Sequence, residues 1–289
     1  GSCYGVSFIY NFTGAEEVGS PMRKLISFCI LTGSVIICLY PFLWMFLSSF
    51  KTNREIYQPT LLFPENFEID SYQSLFSEQY LPFYSFFSNS LFISGLQALF
   101  ATLITAAAAF VFAKYSFRGK SFLFGVAILV ILIPKQAMAV PLFDWMLWLG
   151  LQGTSWSLIF PGIASGLGIV FFTQVFRKIP NELLELAKVE GFSIPRTFFL
   201  ILPLVAPSLI TYGLLHFILS WQEHLLPLLL LDDENTTLPI ALSKLRDSSH
   251  RIPESVGMAA ATISLFPVVI LFAVCFRKMK TALVHLSLS

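Results

Sequence analysis

Six long apolar segments restrict what this chain can fold into. They cover about residues 25–47, 90–113, 121–143, 156–176, 204–224 and 257–276. Each is close to the roughly 20 apolar residues that a helix needs to cross the hydrocarbon layer of a bilayer. Hydrophobic residues make up 56% of the chain and charged residues only 12%, which excludes a soluble globular protein. The sequence therefore predicts an all-α polytopic membrane protein with about six transmembrane helices.

The N-terminal residues are not expected to belong to this membrane domain. Met22, Arg23 and Lys24 have the character of a natural start. We therefore predict that residues 1–21 are a tag or a disordered extension and that the transmembrane domain occupies residues 22–289.

Composition also limits the ligands. The four cysteines, Cys3, Cys29, Cys38 and Cys275, form no C-x-x-C pair, so the sequence predicts neither a metal site nor a disulfide framework. The net charge is +1 and no basic stripe stands out, so no nucleic-acid partner is predicted.

Lysine and arginine are distributed unequally between the two sides of the predicted bundle. If the N-terminus is cytoplasmic, that side collects Arg23, Lys24, Lys114, Arg118, Lys120, Arg177, Lys178, Lys188, Arg196, Arg277, Lys278 and Lys280. The other side keeps Lys51, Arg54, Lys244, Arg246 and Arg251. Because cytoplasmic loops carry an excess of basic residues, both termini and the loop 177–202 are predicted to be cytoplasmic. The long loops 48–89 and 225–256 are then external.

A short amphipathic helix is predicted inside the cytoplasmic loop. Pro180 and Asn181 supply a stop and an N-cap, and Gly191 can take the left-handed conformation that ends a helix. Glu182 and Glu185 place carboxylates in the first turn, where the helix dipole favours negative charge. The apolar positions at helical spacing are Leu183, Leu184, Leu186, Ala187 and Val189. About ten residues span only about 15 Å, so this helix must lie at the membrane face.

This segment resembles a known motif. Glu185, Leu186 and Ala187, followed after three residues by Gly191, resemble the EAA loop of binding-protein-dependent ABC importer permeases. Other blocks resemble the carbohydrate-importer branch, which includes maltose-transporter-like inner membrane components; they are residues 62–67, Tyr72, residues 89–91, 113–120 and 221–227. Leu186 departs from the family pattern, since alanine is usual there, and Glu190 stands where aspartate is usual.

The resemblance implies a transport subunit rather than an enzyme. It implies a prokaryotic plasma (inner) membrane location, membrane lipid around the helices, and three protein partners: a second permease subunit, an ATPase dimer and an extracytoplasmic solute-binding protein. ATP and Mg²⁺ would be bound by the ATPase, so no cofactor is expected in this chain. The residues implied to couple to the ATPase are Glu182, Glu185, Leu186, Ala187, Glu190 and Gly191. The implied solute is a carbohydrate or related polyol.

Polar residues in apolar surroundings are candidates for the solute pathway. Lys135 and Gln136 follow Pro134 in the third segment, where a charge is costly unless it faces the bundle interior or a wet cavity. Alternatively, that segment ends near Pro134 and Lys135 lies at the external interface. At the end of the fifth segment stand Trp221, Gln222, Glu223 and His224. This aromatic and polar set suits a sugar, but it also suits an interfacial anchor.

Two further interpretations concern packing and the class of protein. Gly162 and Gly166 form a small-x-x-x-small pair, and Ala98, Thr102, Thr105 and Ala109 form a small-residue stripe; both patterns favour close helix packing over solute contact. The main alternative function is an ion-gradient-driven secondary transporter or channel, which predicts transport without an ATPase.

Overall fold

A computed structural model describes residues 21–58, 60–246 and 252–287, and for residues 21–23 and 277–287 it describes the backbone alone. The described chain is all-helical, apart from an isolated bridge between Gly153 and Leu231, so the predicted all-α class is confirmed. The helices are α1 Pro21–Ser48, α2 Asn53–Ile56, α3 Asp70–Phe76, α4 Phe83–Lys114, α5 Lys120–Leu132, α6 Ala139–Trp148, α7 Trp156–Ile163, α8 Gly166–Arg177, α9 Glu182–Val189, α10 Ile194–Ile201, α11 Ala206–Trp221, α12 Leu225–Leu230, α13 Leu238–Leu245 and α14 Glu254–Ser287. The predicted N-terminal extension, except for Pro21, lies outside the described residues.

The number of membrane spans agrees with the predicted six when each bent helix pair is counted as one span. Four stretches are long and apolar enough to cross a bilayer: Lys24–Ser48, Phe83–Lys114, Ile194–Trp221 and Glu254–Phe276. Two bent helix pairs bring the number to six if each pair is counted as one span. The α7–α8 pair bends by 42°, and α5 meets the Lys135–Trp148 segment at 101°.

The third predicted span is not one straight helix, so the expectation of a continuous helix over residues 121–143 is wrong. α5 ends at Leu132, and Ile133 takes an extended conformation with φ −83° and ψ 119°. The cause is Pro134, which disfavours helical geometry in the residue before it and has no N–H of its own to donate. A 3₁₀ turn, Lys135–Met138, then leads into α6 in a new direction. The alternative in which the helix ends near Pro134 describes this segment.

α4 lies at the centre of the bundle, where it packs against α7, α8 and α11. Its small-residue stripe is buried, at Ala98, Thr102, Thr105 and Ala109. Small side chains allow helix backbones to approach closely, and the stripe predicted for packing has that role in the structure. At the Lys114 end of α4, Phe110 packs into an aromatic cluster with Phe176 of α8 and Phe198 of α10.

The first long loop is ordered by buried polar groups and packs on α14. Lys51 is only 2% exposed, and its ammonium donates a hydrogen bond to the Leu61 carbonyl. The Glu55 carboxylate accepts hydrogen bonds from the backbone N–H groups of Glu65 (2.9 Å) and Thr52 (2.7 Å), which hold the pKa of Glu55 below its ordinary value of 4.5. This loop is therefore a folded part of the domain.

The second long loop contains α12 and α13 and is described except for residues 247–251. An ion pair between Lys244 and Asp233 at 2.7 Å lies on its surface. Arg251, one of the residues predicted to be external, lies outside the described residues.

Candidate functional site

A cavity of about 360 Å³ opens between α4, α5, the α7–α8 break and α11. Its volume falls within the range of about 300 to 1,000 Å³ that small-molecule sites occupy. The lining residues of α4 fall between positions 90 and 97, and those of α11 between 212 and 220. The cavity therefore lies toward the end of the bundle at which α4 begins and α11 ends.

One polar wall of the cavity comes from α4. Ser90, Ser94 and Gln97 line it at positions i, i+4 and i+7, which places them on one helix face. The Ser90 hydroxyl accepts a hydrogen bond from the backbone N–H of Leu238 at 2.7 Å. The Gln97 amide donates to the Leu158 carbonyl of α7 at 2.8 Å. These contacts fix two of the three polar side chains by joining α4 to its neighbours.

Another part of the lining contains the break between α7 and α8. Ala164 and Ser165 are extended, with ψ of 110° at each, and the Ser165 hydroxyl accepts a hydrogen bond from the Gly168 N–H at 3.3 Å. Gly162 and Gly166 flank the break and approach other helices closely: a Cβ at Gly162 would lie 1.6 Å from the Gln97 side-chain nitrogen. The small pair predicted for packing therefore brings the cavity walls together.

α11 supplies most of the remaining polar groups. Tyr212 and His216 are both buried, and the Tyr212 hydroxyl lies 3.5 Å from His216 Nδ1. Ser220 near the end of α11 and Glu223 just beyond it continue the lining. The lining thus combines hydroxyl, amide and imidazole groups with apolar side chains. Such a surface can exchange hydrogen bonds with a polyhydroxylated solute while its apolar parts contact the carbon skeleton.

The cavity includes two of the six residues that the sequence singled out for the solute pathway. Lys135 lines it from the 3₁₀ turn after α5, and Glu223 lines it from just beyond the end of α11. The Glu223 carboxylate also accepts a hydrogen bond from the Leu225 N–H at 3.2 Å. With one cation and one anion in its lining, the cavity carries no excess of either charge.

The other four pathway candidates lie outside the cavity lining. Gln136, Gln222 and His224 are exposed on the subunit surface. Trp221 is 7% exposed, and its indole nitrogen donates a hydrogen bond to the Ser264 carbonyl of α14 at 3.1 Å. Its ring stacks on Phe217 at a centroid distance of 5.6 Å. Trp221 is therefore positioned to hold α11 against α14.

The predicted cytoplasmic helix is present as α9, and its end follows the sequence signal. Gly191 has φ +74°, and its N–H donates to the Lys188 carbonyl at 3.0 Å. The Phe192 N–H donates to the Ala187 carbonyl at 2.9 Å. This pair of hydrogen bonds is a Schellman cap, which satisfies carbonyls at the end of the helix.

The start of α9 differs from the prediction in its side-chain contact. Asn181 does occupy the N-cap position, and its carbonyl accepts hydrogen bonds from the N–H groups of Leu184 and Glu185, but its side chain makes no capping hydrogen bond to the helix. Its amide oxygen instead accepts a hydrogen bond from Lys114 Nζ at 2.9 Å. A contact with another helix has therefore replaced the local one.

α9 has two apolar faces. Ala187 is buried, and Leu184 packs against the aromatic cluster at the Lys114 end of α4. The other face exposes Leu183 (40%), Leu186 (63%) and Val189 (83%), which are three residues apart. The remaining coupling candidates, Glu182, Glu185 and Glu190, are also exposed. An apolar stripe bordered by carboxylates is thus left open to a partner.

Sequence reasoning missed several lining residues of the cavity. The spacing of Ser90, Ser94 and Gln97 was an available signal, because polar groups at i, i+4 and i+7 in a membrane helix indicate an inward-facing stripe. Ser165 and His216 had no comparable signal, since each lies alone in an apolar run.

Comparison with known proteins identifies the family of this chain. Residues 101–280 match the model of a family described as the binding-protein-dependent transport system inner membrane component. The arabinooligosaccharide permease AraQ of Halalkalibacterium halodurans is 31% identical, over 82% of this chain and 86% of that protein. The trehalose permease SugB of Mycobacterium tuberculosis is 32% identical (83% and 88%), and the trehalose/maltose permease MalG of Thermococcus litoralis is 31% identical (84% and 88%).

A solved structure shares the fold. It is that of a bacterial ABC transporter involved in the import of alginate, and it superposes with a TM-score of 0.80 at 19% identity, over 90% of this chain and 99% of that one. The family match favours an importer permease over the alternative of an ion-gradient-driven transporter. The chain belongs to the family of binding-protein-dependent transport system inner membrane components and is a multi-pass permease subunit of an ABC importer.

Proposed function

We propose that this chain forms half of the translocation pathway for a carbohydrate or related polyol and receives movement from a separate ATPase through α9. The cavity between α4, the α7–α8 break and α11 is the observation that carries this proposal. Its polar lining is largely uncharged, and its charged residues, Lys135 and Glu223, are of opposite sign. Such a lining favours a neutral polyhydroxylated solute over an anionic one, because hydroxyl groups both donate and accept hydrogen bonds.

The relatives support this solute class. Their names assign arabinooligosaccharides, trehalose and maltose to proteins that align with more than four-fifths of this chain. Within the cavity, Lys135 and Glu223 remain our candidates for direct solute contact among the residues chosen from sequence. Gln136, Gln222 and His224 face the subunit surface, where a second permease subunit would complete the pore.

The proposed coupling surface is the open face of α9. Leu186 and its exposed apolar neighbours would enter a cleft of the ATPase, with Glu182, Glu185 and Glu190 around them and Ala187 and Gly191 fixing the helix. ATP and Mg²⁺ bind the ATPase dimer in this scheme, and the chain itself performs no covalent chemistry. Closure of the ATPase pair would then move the permease helices as rigid bodies.

The proposed orientation follows from lysine and arginine. Both termini and α9 face the cytoplasm of a prokaryotic cell, and the loops 48–89 and 225–256 face an external solute-binding protein. Lipid surrounds α1, which exposes large apolar side chains from Leu25 to Phe46.

Uptake by the assembled transporter tests the proposal. The complex that copurifies with the tagged chain is identified by mass spectrometry and reconstituted in proteoliposomes with its binding protein. We expect uptake of neutral oligosaccharides only when ATP is supplied on the α9 side. Uptake that instead follows an imposed proton or sodium gradient without ATP would overturn the coupling assignment. ATP-driven uptake of amino acids but not of saccharides would overturn the solute class.

A further inference from the structure

α4 connects the cavity to α9 without interruption. Among the membrane-length stretches of the described chain, α4 has neither a break nor an internal proline, whereas α1 contains Pro41 and α14 contains Pro267. Gln97 faces the cavity, and Lys114 ends the helix 17 residues later, about 26 Å away along the axis. An unbroken helix is one of the rigid secondary elements that can carry energetic coupling between two sites.

Lys114 joins this helix to the start of α9. Its ammonium group donates hydrogen bonds to the Ile179 carbonyl and to the Asn181 side-chain oxygen, the latter at 2.9 Å. The Glu182 carboxylate at the first position of α9 attracts the same ammonium group. Ile179 and Asn181 lie 65 and 67 residues further along the chain, so these bonds connect two separate elements.

This contact, called the α4–α9 joint below, fixes the start of α9 to the end of α4. Hydrogen bonds from a charged donor are stronger than those between neutral groups, and partial burial of the lysine strengthens them further. The apolar contact of Leu184 with the cluster around Phe110 lies beside this joint and also ties α9 to the end of α4. Polar and apolar contacts thus hold α9 to the same end of the same helix.

We propose that Lys114 is a positioning residue for transport, which fixes the start of α9 to α4 so that movement of α9 is transmitted along α4 to the cavity wall. This inference rests on the proposed role of α9 as the ATPase-coupling helix. Lys114 touches neither solute nor ATPase in this scheme. It acts through Ile179 and Asn181, and without it α9 can shift relative to α4 when the ATPase closes.

The chain offers a matched control in the same turn. Lys120 also donates a hydrogen bond to a backbone carbonyl, that of Tyr115 at 2.9 Å, but this bond stays within the α4–α5 turn. Lys120→Met and Lys114→Met each remove one positive charge and a hydrogen bond to a backbone carbonyl. Only Lys114→Met also removes the bond to the Asn181 side chain and releases α9. Lys114→Arg retains the charge and the donors.

The experiment measures solute taken up per ATP hydrolysed by the assembled transporter in proteoliposomes. We expect Lys114→Met to lower this ratio at least about ten-fold, with an unchanged subunit composition, because the variant loses two hydrogen bonds from a charged donor and the loss of one alone corresponds to about ten-fold. Lys120→Met should remain close to wild type, and Lys114→Arg should recover most of the ratio. Hydrogen exchange in α9 should also increase in Lys114→Met but not in Lys120→Met.

Equal ratios in Lys114→Met and Lys120→Met would overturn the inference. If Lys114→Met fails to assemble, Asn181→Ala decides, since it removes one acceptor and leaves the lysine in place; a wild-type ratio in that variant would equally overturn it. Leu186→Asp, which alters the open face of α9, tests separately whether α9 docks on the ATPase. If the Leu186→Asp variant still copurifies with the ATPase and has a wild-type ratio of uptake to ATP hydrolysis, α9 is not the docking helix, regardless of the result for Lys114→Met.

Discussion

Gly166 is the position at which an added methyl group should be least tolerated in the cavity wall. A Cβ there would lie 2.2 Å from the Ala127 carbonyl oxygen and 3.1 Å from Ile131 Cγ1, both on α5. Real Cβ contacts are essentially never shorter than 3.0 Å, so α5 and α8 must separate by at least 3.0 − 2.2 = 0.8 Å. The obstacle is backbone, which cannot rotate away as a flexible side chain can.

The cost of Gly166→Ala can be sized from two opposing effects. Overpacking a close-packed interior typically costs about 1 to 3 kcal/mol, and a backbone clash belongs at the upper end. Replacing glycine by alanine in a helix gains at most about 1 kcal/mol. We therefore expect a net destabilisation of about 2 kcal/mol. Gly125→Ala in α5 is the control, because a Cβ there meets nothing within 4 Å and only the favourable effect remains.

The assay compares thermal midpoints of the two purified variants in one detergent, monitored by the size-exclusion peak of the assembled complex. Gly166→Ala should lose the folded peak at a lower temperature than wild type, and Gly125→Ala should equal or exceed wild type. Membrane complexes often unfold irreversibly, so the scans must use one heating rate. A Gly166→Ala midpoint at or above that of Gly125→Ala would refute the close approach of α5 and α8.

Four further outcomes are expected. Gln97→Leu should weaken uptake, while the size-exclusion yield of the assembled complex stays at the wild-type level. Trp221→Ala should cost about 3 to 5 kcal/mol of stability and lower the size-exclusion yield of folded complex. The Glu55→Gln variant should remove acid sensitivity of the first loop: because the folded-state pKa of Glu55 is depressed, its stabilisation exists above pH 4.5 and is lost as pH falls below that value, which hydrogen exchange can follow. A cysteine replacing Arg196 should resist membrane-impermeant reagents applied to intact cells, and labelling there would invert the proposed orientation.

The sequence anticipated α9 well because its boundaries are set by local chemistry. Acidic residues mark its first turn, and Gly191 ends it with a positive φ. The role of Asn181 could not be read in the same way. Its side chain is equally suited to cap a helix or to accept a bond from elsewhere, and the competing donor, Lys114, lies 67 residues away in the chain. A tertiary contact overrode a local preference.

The third span shows a different limit. Apolar composition continues from α5 through Pro134 to α6, so hydropathy alone predicts one helix. Hydropathy measures transfer into lipid and contains no information on direction. The proline indicated where a break could occur, but the 101° bend depends on how α6 packs against α12.

Polar residues on α4 show why the cavity itself could not be separated from the packing core by pattern alone. Gln97, Thr102 and Thr105 all interrupt apolar sequence on one helix. The Thr102 hydroxyl donates to the carbonyl of residue 98, four positions earlier, at 2.6 Å, and Thr105 makes the same type of bond to the carbonyl of residue 101. These threonines satisfy themselves on their own helix and can be buried in packing. Gln97 has no such local partner and reaches the Leu158 carbonyl of α7. An amide whose partner lies on another helix faces the space between helices, and Gln97 lines the cavity from that position.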